Sequence, residues 1–317
     1  MDTLDSDTYS LITSMLPIEA INGLRLTNNT NSNQLTACQN SDNFWRLRLE
    51  RFCDTQFTYI APRGMWHDLY IKITSGNLDM TRKAIEFADS GDFEALKLLI
   101  SLGVNVTTRD NKALVQAAEN GHYQVLKLLL DSGADVTAKD NKALIQAARY
   151  GHYEVVKLLL KAKANVTAQD NGALVQAATN GHYEVVKLLL EAKADVTAQD
   201  NEALVDAASN GHLHAVELLL AAKADVGAQD NAALILAASS GHYDVLELLL
   251  AVGANVTAQE DEALVEAATN GHYQVVELLL AVGADVTAQD NKALVVATAK
   301  GHSAVVKLLL QAGATPN

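Results

Sequence analysis

From Lys83 to the last residue, apolar and polar positions follow one order that returns every 30 residues. In residues 111–140, Leu114, Val115, Ala117 and Ala118 have helical spacing, and this short stripe stops at Asn120-Gly121. A second stripe, Val125, Leu126, Leu128, Leu129 and Leu130, stops at Ser132-Gly133. Each stripe is one face of an amphipathic helix. The glycine between the stripes recurs in every unit, and a left-handed position just past a helix end explains the demand for it. Ala134–Asn141 is expected to cross to the next unit as an extended turn, with Asp140 or Asn141 capping the next helix. The small pair Ala117-Ala118 implies close approach of helices from neighbouring units. Repetition at a fixed period is the signature of a stacked solenoid. The units are 81–110, 111–140, 141–170, 171–200, 201–230, 231–260, 261–290 and 291–317. The first, with Phe87 and Asp92 in place of Ala and His, and the last, which loses its pattern at Thr315-Pro316-Asn317, read as caps. The expected fold is all-α: a solenoid of helix–turn–helix units with short connecting turns, over 81–317, behind a small helical module, 1–80.

The string ALxxAAxxGHYEVVKLLLxxGADV resembles the ankyrin repeat, over roughly three quarters of the chain. That family's usual unit is longer and begins D-x-x-G-x-T-P-L-H, whereas here the segment shrinks to Asp-Asn-x-Ala-Leu. The resemblance therefore implies a projecting β-hairpin shorter than usual. The short unit is most similar to those of ankyrin proteins encoded by giant DNA viruses of amoebae. It implies a non-enzymatic, protein-binding scaffold.

Charge changes this picture along the chain. The net charge is −14, and residues 201–290 hold fourteen acids against one lysine, Lys223. Residues 291–317 hold three lysines and no acid. An acidic surface disfavours nucleic acid and anionic membranes and favours basic protein partners. No apolar run reaches the length of a membrane span, and the start, Met1-Asp-Thr-Leu-Asp, is acidic. Cys38 and Cys53 make no disulfide framework, which fits a reducing compartment, cytoplasmic or nuclear. A monomer is expected.

Two ladders look like sites. His122, His152, His182, His212, His242, His272 and His302 recur at one position, but neighbours one repeat apart, roughly 10 Å, cannot converge on a metal ion. Each is read as starting the second helix and bonding nearby backbone. The tyrosines at 123, 153, 183, 243 and 273 are read as helix packing. Lys163, Lys193 and Lys223 stand where other units have glycine. No catalytic constellation, metal cluster or cofactor loop is present in the sequence pattern, so neither an enzyme nor a cofactor is expected.

The units also serve as their own comparison set, since framework positions are fixed by packing. The varying positions precede Ala-Leu, follow Leu-Val and precede Gly-His. They single out Lys112, Gln116, Glu119, Asn120, Lys142, Gln146, Arg149, Tyr150, Gln176, Thr179, Asn180, Glu202, Asp206, Glu262 and Glu266. The family resemblance places these in a concave groove that holds a protein client. Arg149-Tyr150 joins a guanidinium to a large aromatic, the residue types that dominate interface energetics. The acids among them suit a client with a basic segment.

Residues 1–80 differ in composition and hold both tryptophans. Leu16-Pro17-Ile18-Glu19-Ala20-Ile21-Asn22-Gly23-Leu24 has helical spacing, with Pro17 suited to a first turn. With Cys38, Phe44-Trp45-Arg46-Leu47 and the later Trp66-His67-Asp68-Leu69-Tyr70, the segment resembles an F-box-like module. That resemblance implies docking on the adaptor of a cullin–RING ubiquitin ligase through Leu16, Pro17, Ile18, Ile21 and Leu24. The function expected is a substrate receptor that brings a host protein to the ligase. The competing expectation is a plain interaction or virion-associated protein whose N-terminus is only a cap.

Overall fold

The computed structural model describes residues 80–101 and 103–315. Among them are sixteen α-helices and no strand. They fall into two compact bodies, one ending at Asp135 and one beginning at Val136. The expected β-hairpin is absent from the described residues, and left-handed turns stand in its place.

The first body holds α1 (Met80–Ser90), α2 (Phe93–Ser101), α3 (Thr108–Glu119) and α4 (Tyr123–Asp131). α1 packs on α3 and α2 on α4. Phe87 of α1 is buried. Asp92 takes the place of the repeated histidine and caps α2, its Oδ1 accepting from the Ala95 N–H at 3.1 Å.

The second body holds six further pairs. They are α5 (Ala138–Arg149) with α6 (Tyr153–Lys161), α7 (Ala168–Thr179) with α8 (Tyr183–Glu191), and α9 (Ala198–Ser209) with α10 (Leu213–Ala221). Then follow α11 (Ala228–Ser240) with α12 (Tyr243–Ala251), α13 (Ala258–Asn270) with α14 (Tyr273–Ala281), and α15 (Ala288–Lys300) with α16 (Ser303–Gln311). Odd helices stack on odd helices and even on even. Close approach of the odd row rests on its alanine pairs: Ala147, Ala148, Ala177, Ala178, Ala207 and Ala208 are all wholly buried. The core between rows is leucine and valine, for instance Leu174, Val186 and Leu189 at 1% exposure or less. Truncating such a leucine to alanine costs about 2–5 kcal/mol.

Both helices of a unit stop the same way. After α7, the His182 N–H donates to Ala177 O at 2.9 Å and the Gly181 N–H to Ala178 O at 3.1 Å. After α8, Ala194 donates to Leu189 O and Lys193 to Leu190 O, both at 3.0 Å. This paired pattern needs a left-handed residue at the penultimate donor. Lys163, Lys193 and Lys223 adopt it with φ of 71°, 71° and 75°.

The link between units is not an extended turn. Lys139, Asp140 and Asn141 have φ of 51°, 55° and 61°, a left-handed turn opening α5, and the same three positions are left-handed in every later unit. Such a conformation costs about 1–2 kcal/mol per ordinary residue, and Asn and Asp suffer it least. Nor does Asn141 cap the helix. The second body instead buries Asn141, Asn171 and Asn201 at 3–5% exposure. Their Oδ1 atoms accept backbone N–H groups 24 residues on: Asn165 at 2.7 Å, Asp195 at 2.7 Å and Asp225 at 2.8 Å. The asparagine thus ties the start of its unit to the end, and the left-handed turn aims it inward. Asp261 replaces it once and accepts from Asp285 N–H at 2.8 Å. Burial pushes the Asp261 carboxyl above its ordinary range, more than the Asp285 N–H lowers it, and the Asp285 charge pushes the same way.

Candidate protein-binding surface

The varying side chains sit on the odd helices, between residues that packing fixes. Around Gln176, the flanking Leu174, Val175, Ala177 and Ala178 are buried while Gln176 itself is half-buried. Lys112 and Asn120 in the first body, and Lys142, Arg149, Tyr150 and Asn180 in the second, are exposed. Gln116 and Glu119 in the first body, and Gln146, Thr179, Glu202, Asp206, Glu262 and Glu266 in the second, are half-buried. Leu16, Pro17, Ile18, Ile21 and Leu24 lie outside the described residues.

Several of these positions also join one unit to the next. Gln116 Nε2 donates to Asp89 Oδ1 at 2.7 Å, and Asn120 Nδ2 donates to the same oxygen at 3.0 Å. Thr179 Oγ1 donates to Asp206 Oδ2 at 2.7 Å, and Ser239 Oγ to Glu266 Oε2 at 2.8 Å. Glu262 Oε2 accepts from Gln289 Nε2 at 2.9 Å and lies 3.5 Å from Lys292 Nζ. Among the described residues Glu202 makes no such bond. At Arg149-Tyr150 the guanidinium lies over the tyrosine ring, 5.7 Å from its centre, and Tyr150 is 46% exposed. The stack holds a flat, charged and apolar surface toward solvent. Leu236, 38% exposed, occupies the position of Gln176 and Asp206 one or two units earlier.

The ladder histidines start the second helices and bond backbone, as expected, but that backbone belongs to the preceding unit. His212 Nε2 lies 3.1 Å from Thr179 O, and His242 Nε2 lies 3.1 Å from Ser209 O, each partner 33 residues back in the preceding unit. A carbonyl only accepts, so Nε2 carries the proton. The ring also rests on the preceding unit's glycine: a Cβ on Gly181 would lie 2.5 Å from His212 Nδ1. Glycine is required there for space as well as for φ. Gln199 Nε2 and Gln229 Nε2 add a second row, each donating at 3.0 Å to the carbonyl of Asp170 or Asp200. The asparagine row, which the sequence reads as a helix cap, and the glutamine row, which it does not single out, recur in most units, with Asp261 as the exception in the first and Arg109 and Lys139 in the second. That recurrence is the signal that could have found their roles.

The tyrosines do not pack in the core: Tyr183 is 46% and Tyr273 40% exposed. Shallow clefts lie beside them and beside the even helices. One of about 270 Å³ is lined by Tyr153, Tyr183, Glu184, Lys187, Leu188 and Glu191. No three His, Cys, Asp or Glu side chains gather as a metal site among the described residues. No described helix is long and apolar enough to cross a membrane.

Comparison with known proteins agrees with this architecture. A family model described as ankyrin repeats (3 copies) matches residues 139–200, 174–260 and 234–317. A second, described as ankyrin repeats (many copies), matches residues 80–130 and 114–160. No curated protein matches the chain.

Proposed function

The chain belongs to the ankyrin-repeat family, and from that premise we propose that the odd-helix face of its second body seats a protein client which residues 1–80 bring to a cullin–RING ubiquitin ligase. The repeats make the chain a protein-binding scaffold. One observation carries the client reading. At each 30-residue step wholly buried alanines and leucines alternate with exposed or half-buried positions whose side chains change from unit to unit. Packing dictates the first set. The second set runs from Lys142, Gln146 and Arg149 to Glu202, Asp206, Glu262 and Glu266, so the face changes sign along its length. A client with a basic segment suits the later units, and Arg149-Tyr150 is the anchor of the earlier ones. The ligase part of the reading is supported by the Leu16-Pro17-Ile18-Glu19 start and the Phe44-Trp45 closing motif.

The test is affinity capture with the full chain from a eukaryotic lysate. The wild type should recover client, adaptor and cullin together. Leu16→Asp with Pro17→Ala should lose adaptor and cullin while keeping the client. Tyr150→Ala should lose the client while keeping the adaptor. A wild type that recovers a client but neither ligase subunit is a plain interaction scaffold, and the ligase reading is then wrong.

A further inference from the structure

The even helices of the second body carry a separate departure from the repeat. At one position the units read Lys157, Lys187, Glu217, Glu247, Glu277 and Lys307. Four residues on they read Lys161, Glu191, Ala221, Ala251, Ala281 and Gln311. The next position reads Ala162, Ala192, Ala222, Val252, Val282 and Ala312. At α12 and α14 all three changes coincide: an acid at the rim, a charge removed, and a valine added. Val252 is 47% and Val282 45% exposed, so the added methyls are not buried by the stack. Leu250, Ala251, Ala254, Val256, Leu278 and Val282 line an open cleft of about 330 Å³ with Glu247 at its edge. Alanine suffices at this place in the earlier units, so packing does not ask for valine.

A complement to this cleft lies on the same chain. Lys307 and Leu310 are three residues apart on one face of α16, and both are exposed, Leu310 by 42%. The leucines at the same place in α12 and α14, Leu250 and Leu280, are half-buried. Among the described residues neither Lys307 nor Glu247 forms an ion pair. Residues 291–317 hold only basic charge, three lysines, while residues 201–290 hold fourteen acids. We propose that α16 of a second copy docks in this cleft, with Leu310 on its apolar floor and Lys307 against Glu247. Two copies, in place of the monomer expected from the sequence, are then joined by unlike patches. Such a contact either forms twice about a two-fold axis or runs on from copy to copy. The cleft belongs to the even helices, so the proposal stands apart from the client reading.

Sedimentation velocity on the full chain, over a range of concentrations, tests it. The wild type should associate as concentration rises. Glu247→Lys and Lys307→Glu should each raise the Kd at least about ten-fold, as loss of a close interfacial charge pair does. The two reversals combined should restore association, since the pair is rebuilt with its signs exchanged. Circular dichroism should show unchanged helix in all three variants, because both side chains are exposed. A single species of monomer mass at every concentration, or association that neither reversal weakens, overturns the proposal. A monomer that binds a leucine- and lysine-rich helical peptide, with binding lost in Glu247→Lys, assigns the cleft to a foreign basic segment and equally overturns self-docking.

Discussion

Gly271 and Gly301 offer a controlled pair. Both are left-handed, with φ of 76° and 78°. A Cβ on Gly271 would lie 2.5 Å from His302 Nδ1 and 2.7 Å from its Cε1, whereas a Cβ on Gly301 would meet nothing within 4 Å. Replacing either by alanine forces an L side chain into the left-handed region, which costs about 1–2 kcal/mol. At Gly301 that should be the whole effect. At Gly271 the His302 ring must also move, and its Nε2 bond to Thr269 O, 3.0 Å long, is lost with it. An intramolecular hydrogen bond contributes about 1 kcal/mol, and the ring's packing on the glycine is forfeited besides. Gly271→Ala should therefore cost about 2–4 kcal/mol against about 1–2 for Gly301→Ala. The assay is urea unfolding followed by circular dichroism, with hydrogen exchange of α15 and α16 amides to read the last unit directly. Gly301 lies in the last unit and Gly271 in the one before it, but the His302 ring that rests on Gly271 belongs to the last unit, so exchange in α15 and α16 reports on both. A double-mutant cycle separates the two terms: in a His302→Ala background Gly271→Ala should fall to the cost seen at Gly301. Equal costs for the two glycines, or an undiminished cost for Gly271→Ala once the ring is gone, would refute the stacking argument.

Five other substitutions, in three groups, test different parts of the protein. Lys163→Gly, Lys193→Gly and Lys223→Gly should each stabilise by roughly 0.5–1 kcal/mol, the left-handed strain relieved less the entropy glycine adds to the unfolded chain, and an unchanged urea midpoint would show the position unstrained. Asp261→Asn, which installs the asparagine of the other units, should raise the melting temperature at pH 7. Because burial raises the Asp261 pKa, the native state holds its proton more tightly than the unfolded chain, so the charge costs stability as pH rises through that pKa. The gain from asparagine should shrink as pH falls below it, and a gain independent of pH would be evidence against a buried charge. Tyr150→Ala should weaken client binding by about 2 kcal/mol, measured by calorimetry, while leaving the melting temperature nearly unchanged, since the ring is half exposed.

Much of the fold is legible in the sequence because two different periods coincide. Helical spacing within a unit and the 30-residue return between units give sixteen helices their places, and the alanine pairs mark which row packs closest. The connections were less legible. Gln-Asp-Asn reads as a turn followed by a cap, since Asp and Asn favour both. What turns the segment left-handed is an acceptor for a backbone N–H 24 residues away, and no local rule reports that distance. The sequence marks the histidine as a helix start and the glycine as a left-handed residue, and both hold in the structure. Their contact with each other spans 31 residues and two units, as His212 on Gly181 shows, so neither residue's own surroundings in the chain reveal it.

The acids on the odd-helix face are the harder case, because one carboxylate can serve two ends. Asp206 and Glu266 each accept a hydrogen bond from the preceding unit, and Glu262 accepts one from Gln289 at the end of its own. Variation at these positions is therefore not free: Asp206 is matched to Thr179 and Glu266 to Ser239, so each change alters a unit-to-unit contact as well as the surface. Glu202 makes no such bond and isolates the electrostatic part. Glu202→Ala and Asp206→Ala each remove one charge from the same stretch of surface. For a client whose basic segment lies over the later units, both should slow association at low salt, and the difference should fade as ionic strength rises past 0.15 M, where exposed charges are screened beyond about 8 Å. Only Asp206→Ala should also lower the unfolding free energy, by at most about 1 kcal/mol, since the Thr179 hydroxyl that loses Asp206 can still turn to Val175 O at 2.8 Å. Stopped-flow association at two salts, beside urea unfolding, reads both effects. If Glu202→Ala leaves the on-rate unchanged while Asp206→Ala lowers both, the carboxylates hold the stack together and the client does not read their charge.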